Sequence, residues 1–144
     1  MDLFTTFDIA SSAMQAQRTR LNTISSNLAN VETTSTPEGG PYKRKSTYFQ
    51  TIPIAFEGQL QNSMATKALQ GVKVKEIIED NSEPQKVYNP SHPDADEFGY
   101  ISLPNISVLK EIVDMSSAVR SYEANTTVIK SAKRMALKAL EIGR

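Results

Sequence analysis

Residues 107–142, SVLKEIVDMSSAVRSYEANTTVIKSAKRMALKALEI, decide the architecture. Val108, Ile112, Met115, Val119, Tyr122, Thr126, Ile129, Lys133, Ala136 and Leu140 alternate spacings of four and three, which draws one seam along one face of a helix. Ser107 follows the Pro104-Asn105 break and supplies an N-cap. Lys133, Arg134 and Lys138 in the last turns complement the negative end of the helix dipole. The same alternation recurs at the other end of the chain, through Leu3, Phe7, Ala10, Met14, Gln17, Leu21, Ile24, Leu28 and Val31. This predicts a first helix from about residues 2–6 to about residue 30, with Asn27 and Asn30 as stop signals because Asn tolerates the left-handed conformation of helix ends. Its remaining positions are Ser, Thr, Asn and Gln rather than Lys and Glu, so few charged pairs support it as a solitary helix. Packing must supply its order.

Between the stripes the period changes. Residues 32–41 are turn and loop formers throughout. Residues 42–51, rich in Thr and aromatics, read as a strand. Val72-Lys73-Val74-Lys75 alternates apolar and polar side chains and extends toward Ile78. Residues 87–88 and 100–102 are short strand candidates, and Pro53, Pro84, Pro90, Pro93 and Pro104 keep every strand short. Residues 62–69 read as a loop or a helical turn. The expected fold is α+β. Long helices in 1–31 and 107–144 pair as a coiled coil, with a loop and small β-rich insert over 32–106.

A chain of 144 residues is one domain, or a small domain with helical arms. Its net charge is zero, yet the signs separate along it. Lys43, Arg44, Lys45, Lys67, Lys73 and Lys75 face only Glu57 over residues 42–75. Glu76, Glu79, Asp80, Glu83, Asp94, Asp96 and Glu97 then face only Lys86 over residues 76–97. No uncompensated basic field exists for nucleic acid or an anionic membrane, whereas neighbouring copies could make polar contacts. The absence of cysteine excludes disulfides and cysteine metal sites. No apolar run approaches the roughly 20 residues of a membrane span. Met1-Asp2-Leu3-Phe4 lacks the basic and apolar regions of a secretory leader, so the expectation is a cytoplasmic location or export by another route.

Catalytic chemistry finds little material. His92 with Asp94, Asp96 and Glu97 suggests a metal, and Asp94-Ala95-Asp96 before Gly99 matches the start of a calcium loop. The fifth position, however, is Phe98, and the twelfth is Asn105 rather than the bidentate Glu, so a solvated turn is the better reading. Lys43-Arg44-Lys45 between Tyr42 and Tyr48 reads as a strand whose basic residues face water or a neighbour's acidic surface. A single histidine in a Pro-rich loop is poor material for a triad, and Gly39-Gly40 lies between prolines rather than opening a helix. No enzyme activity, metal or cofactor is expected.

The stripes admit two readings: an internal hairpin of a monomer, or burial against further copies. Ala13, Ala29, Ala118, Ala132 and Ala139 beside the seams favour close backbone approach. A lone hairpin of such residues buries little apolar area against the entropy of ordering it. Association of several copies is the remedy.

Ser25-Ser26-Asn27-Leu28-Ala29-Asn30-Val31-Glu32-Thr33 resembles the signature that closes the first helix of bacterial flagellar rod and hook proteins. Residues 115–140, above all Arg120-Ser121-Tyr122-Glu123-Ala124-Asn125-Thr126-Thr127-Val128-Ile129-Lys130, resemble the C-terminal helix of that family. Thr34-Ser35-Thr36-Pro37-Glu38-Gly39-Gly40-Pro41-Tyr42-Lys43-Arg44, and Asn89-Pro90-Ser91-His92-Pro93-Asp94-Ala95-Asp96 continuing to Gly99-Tyr100 and Leu103-Pro104-Asn105, narrow the resemblance to its proximal rod members. The resemblance implies a structural subunit of the flagellar basal-body rod, assembling helically with itself, with other rod proteins and with the adaptor FliE. Such a subunit transmits motor torque across the periplasm after leaving the cytoplasm, without a cleaved signal peptide, through the flagellar type III export apparatus. Phe56-Glu57-Gly58-Gln59-Leu60 fits the loose form of a motif associated with that export. The assembly interface implied comprises Leu3, Phe7, Ala10, Met14, Leu21, Ile24, Asn27, Leu28, Asn30 and Val31 with Ile112, Met115, Val119, Tyr122, Asn125, Thr126, Ile129, Ala136 and Leu140. The competing readings are a different axial subunit, or a soluble helical adaptor or binding module.

Overall fold

The computed structural model describes residues 3–53 and 70–142. The chain runs α1 (Leu3–Ala29), β1 (Lys45–Pro53), β2 (Gln70–Glu79), β3 (Gln85–Tyr88), β4 (Tyr100–Leu103) and α2 (Val108–Ile142). Two long helices pack together, and a small two-sheet β insert lies between them in sequence, so the fold is α+β. The expected loop or turn at 62–69 and the motif at 56–60 lie outside the described residues.

The helix pair is antiparallel, as three contacts along it show. Asn27 faces Glu111, Arg20 faces Asp114 in a 2.9 Å ion pair, and Met14 faces Thr126. In that register Leu3 lies opposite about residue 135, so the end of α2 runs past the described start of α1. The buried apolar side chains of the pair are small: Ala10, Ala16, Ala118 and Ala132, with Ile24 the largest. Asn30 ends α1 by donating its side-chain N–H to the Ser26 carbonyl at 2.8 Å. Asn27 does not end the helix as expected; it lies inside α1, fully buried. Ser107 accepts the Lys110 N–H at 3.5 Å, a long version of the expected cap.

β1 and β2 form an antiparallel hairpin in which Tyr48 faces Glu76 and Phe49 faces Val74, leaving Lys75 as the extra residue of a bulge. Alternation along the strands puts Thr47, Phe49, Val72 and Val74 on one face, each half-buried, and α1 packs against both strands. Ser12 fastens this contact, accepting the Val72 backbone N–H at 3.2 Å and donating to the Ile9 carbonyl at 2.8 Å. β1 starts three residues later than residue 42, where the sequence suggested a strand. Tyr42 and Arg44 are instead committed to side-chain contacts with the helices.

The second sheet, β3 paired antiparallel with β4, is small, with Ile101 as its buried residue. The rings of Tyr88 and Tyr100 meet edge to face at 5.3 Å. Residues 89–99 link the strands in a hydrogen-bonded loop. Asp96 Oδ1 accepts the N–H groups of Phe98 and Tyr100, and Thr34 donates to Asp94 at 2.6 Å. Gly99 closes the loop at φ +80°, and a Cβ there would sit 3.0 Å from Tyr88 Cε2 and 3.1 Å from Pro90 Cβ. Among the described residues no helix is long and apolar enough to cross a membrane.

Gly99→Ala should therefore destabilise the β3–β4 unit by about 1–3 kcal/mol, since a side chain adds contact to an unfavourable backbone region. Amide exchange should accelerate over residues 85–103 and stay unchanged in α1. Unaltered protection at Tyr100 and Ile101 would contradict this reading.

Candidate assembly interface

A buried polar cluster joins the helix pair to the β insert. Asn27 and Glu111 are both 0% exposed. Asn27 Nδ2 donates to the Lys45 carbonyl at 2.8 Å and to Glu111 Oε2 at 3.1 Å. Its Oδ1 accepts the Lys45 backbone N–H at 2.9 Å and the Tyr42 hydroxyl at 3.1 Å. All four hydrogen-bonding positions of the amide are thus used. Arg44 presents Nε and Nη2 to Glu111 Oε1, at 2.8 and 2.7 Å, and its Nη1 donates to Ser46 at 2.7 Å. A carboxylate at this depth needs such charge-assisted donors to offset its desolvation. Arg44 does not face water or a neighbour, as the basic run suggested. The period of two separates it from Lys43, which is exposed, and turns it inward.

Glu111 also fixes how α2 is rotated. With Glu111 inward, residues seven apart follow it: Ala118 and Ala132 are buried and Asn125 is half-buried. The apolar stripe at Ile112, Val119, Thr126 and Lys133 sits one residue later, hence about 100° further round the helix. Its Ile112, Val119 and Lys133 are exposed, whereas Thr126 still reaches Met14 of α1. Ile112 is 51% exposed and Val119 and Tyr122 are 39% exposed, while Leu140, 72% exposed, lies on the part of α2 that runs past the described start of α1. Met115, Asn125, Thr126, Ile129 and Ala136 are half-buried along the border of the contact. In α1, Ala10, Ile24 and Asn27 are buried. Leu3, Phe7, Met14, Leu21, Leu28, Asn30 and Val31 are half-buried. Of the residues singled out in the sequence, only Ala10, Ile24 and Asn27 of α1 are in the interior of the fold, and the others stay partly open. Those of α2 divide between the interior and an open apolar flank.

The arrangement offers no catalytic geometry around His92. Its Nδ1 accepts the Asp94 backbone N–H at 3.1 Å, and Asp96 is occupied by backbone amides. No group of three or more His, Asp or Glu that could hold a metal ion occurs among the described residues. Tyr42, Arg44 and Glu111 are the residues that sequence reasoning missed. Only the alternation through 43–45 carried a signal of them.

Two family models match the ends of the chain. The one described as "Flagella basal body rod protein" matches residues 7–35, and "Flagellar basal body rod FlgEFG protein C-terminal" matches residues 99–142. Curated relatives match along the whole length. A protein of Bacillus subtilis (strain 168) named flagellar basal-body rod protein FlgC is 43% identical over 150 residues, covering 100% of both chains. Its namesake from Borreliella burgdorferi is 42% identical over 149 residues, covering 99% of this chain and 98% of the relative. The Escherichia coli O6:H1 protein of that name is 42% identical over 144 residues, again covering 100% of both.

The polar cluster generates a stability prediction. Arg44→Met should lower unfolding free energy by roughly 3–5 kcal/mol, because it leaves the Glu111 carboxylate buried without its cation. Adding Glu111→Met should recover much of that loss, since the stranded charge is then gone. Urea unfolding monitored by circular dichroism measures both. A loss below about 1 kcal/mol for the single variant would contradict the assigned burial.

Proposed function

This chain belongs to the FlgC family of flagellar basal-body rod proteins and is a structural subunit of the rod; we propose that it builds the proximal rod as a helical tube, through the apolar flank that α2 turns away from α1. On this reading the helices of 1–31 and 107–144 form the inner, coiled-coil layer, and residues 32–106 form an outer layer upon it. The interface comprises the seam residues of both helices, with Ile112, Val119, Tyr122 and Leu140 making the contacts between copies. Neighbours above and below are other rod proteins and FliE, and the role is mechanical rather than catalytic. Torque passes through many side-by-side helix contacts, each weak and collectively stiff.

The observation that carries this reading is the half-exposure of large apolar side chains on a long, well-formed helix. Isolated exposed apolar residues are ordinary, but a recurring line of them along one flank marks an association surface. The apolar residues buried between α1 and α2 are alanines and Ile24, which leaves Ile112 and Val119 to neighbours. A chain without cysteine also suits passage through the flagellar type III export apparatus from the cytoplasm, because no cross-link would have to be undone. Location along a rod that crosses the periplasm follows from that route.

Ile112→Asp and Leu140→Asp separate folding from assembly. Both positions are exposed in the single chain, so thermal stability should change by less than about 0.5 kcal/mol. Each should nonetheless remove the protein from isolated basal bodies and abolish swarming, by placing an unpaired charge in the interface. Wild-type swarming by both variants would overturn the reading.

A further inference from the structure

The loop of residues 89–99 carries Asp94, Asp96 and Glu97 and no lysine or arginine. Near its end Phe98 is 78% exposed, and Tyr88 and Tyr100 of the flanking strands are also exposed. The loop is held in shape by the Asp96 hydrogen bonds, by the Asn89 N–H to Gly99 carbonyl bond of 2.8 Å, and by Thr34 on Asp94. A fixed turn thus holds an aromatic side chain out into water, surrounded by negative charge. Recovering that exposed apolar area requires a surface that is apolar at its centre and basic at its edge.

Such a surface lies at the far end of α2. Residues 130–140 contain Lys130, Lys133, Arg134 and Lys138 and no acidic residue. Among the described residues, none of these four is ion-paired. Ser131, Arg134, Met135 and Lys138 share one open face of the helix, on which Met135 is 63% exposed between the two cations Arg134 and Lys138. Within one copy the two surfaces are far apart. Thr34, just beyond α1, pins the loop near the end of the pair where α2 begins, and Met135 lies roughly 40 Å along α2 from there.

We propose that the β3–β4 loop of one copy docks on the C-terminal half of α2 of a second copy, with Phe98 against the patch beside Met135 and the loop carboxylates facing Arg134 and Lys138. Phe98 is the anchor, and the opposed charges set orientation and exclude the reverse pairing. Different patches meet, so the contact is head-to-tail and continues from copy to copy instead of closing a two-fold dimer. The proposal rests on the rod-subunit reading and names a second contact, between the outer insert and the helices of the next subunit.

The absence of cysteine allows a direct test in the full chain. Phe98→Cys and Met135→Cys would be introduced singly and together in flagellated cells, and basal bodies isolated and mildly oxidised. The expected result is a reducible ladder of dimers and higher oligomers for the double variant and only monomer for either single variant. Normal incorporation without a ladder would overturn the contact, as would dimers from Phe98→Cys alone, which require a symmetrical arrangement. A charge-reversal arm covers the case in which the cysteines impair assembly. Glu97→Lys or Arg134→Glu alone should reduce incorporation at least threefold, and the pair together should restore it; failure to restore would count against the docking. Absence of the unmodified chain from basal bodies would remove the rod reading itself, and this contact with it.

Discussion

The burial of Glu111 is the constraint from which the rest of the structure follows. A carboxylate with no access to water must point where Asn27 and the Arg44 guanidinium can reach it, and that fixes the rotation of α2 about its axis. Alanines then fall on the line facing α1, and the helices approach through small side chains. The larger apolar residues of α2 are carried round to the open flank. A single ion pair thereby decides which side chains are spent inside the chain and which remain for a neighbour.

The same cluster makes the β insert a rigid extension of the helices. Asn27 holds the first residue of β1 by both its backbone N–H and its carbonyl, while Ser12 holds β2 about four turns of helix away on the same α1. These attachments resist a rocking motion of the hairpin on the helix. For a subunit of a load-bearing tube this matters, because torsion applied to the helical layer must reach the outer layer without being absorbed at the join. Satisfied polar networks specify geometry more sharply than apolar packing does, and here the network sits at the junction of the two parts.

Much of the fold was legible in the sequence. The helices, the alternating strand through Val72 and Val74, and the short strands before Asn89 and after Gly99 follow from periodicity and from proline and glycine punctuation. Details set by long-range partners were not. Asn27 reads locally as a helix stop, and only its four hydrogen bonds to three distant residues, Tyr42, Lys45 and Glu111, keep it inside α1. Tyr42 and Arg44 read as strand residues because their commitments lie across the fold. The facing side of α2 was legible to within one residue. A heptad count locates the most apolar line, and the chain instead buries the adjacent line of small residues that begins at Glu111. That offset is what separates the internal seam from the surface left for assembly, and it required the structure to see.

The most direct measurement is a density map of isolated basal bodies, at a resolution that traces side chains, with this chain fitted in place. The account predicts the Glu111–Arg44 pair intact and Ile112, Val119, Tyr122 and Leu140 enclosed by helices of adjacent subunits. A rod in which these side chains still face solvent, or in which α2 has rotated to bury them against its own α1, would contradict it.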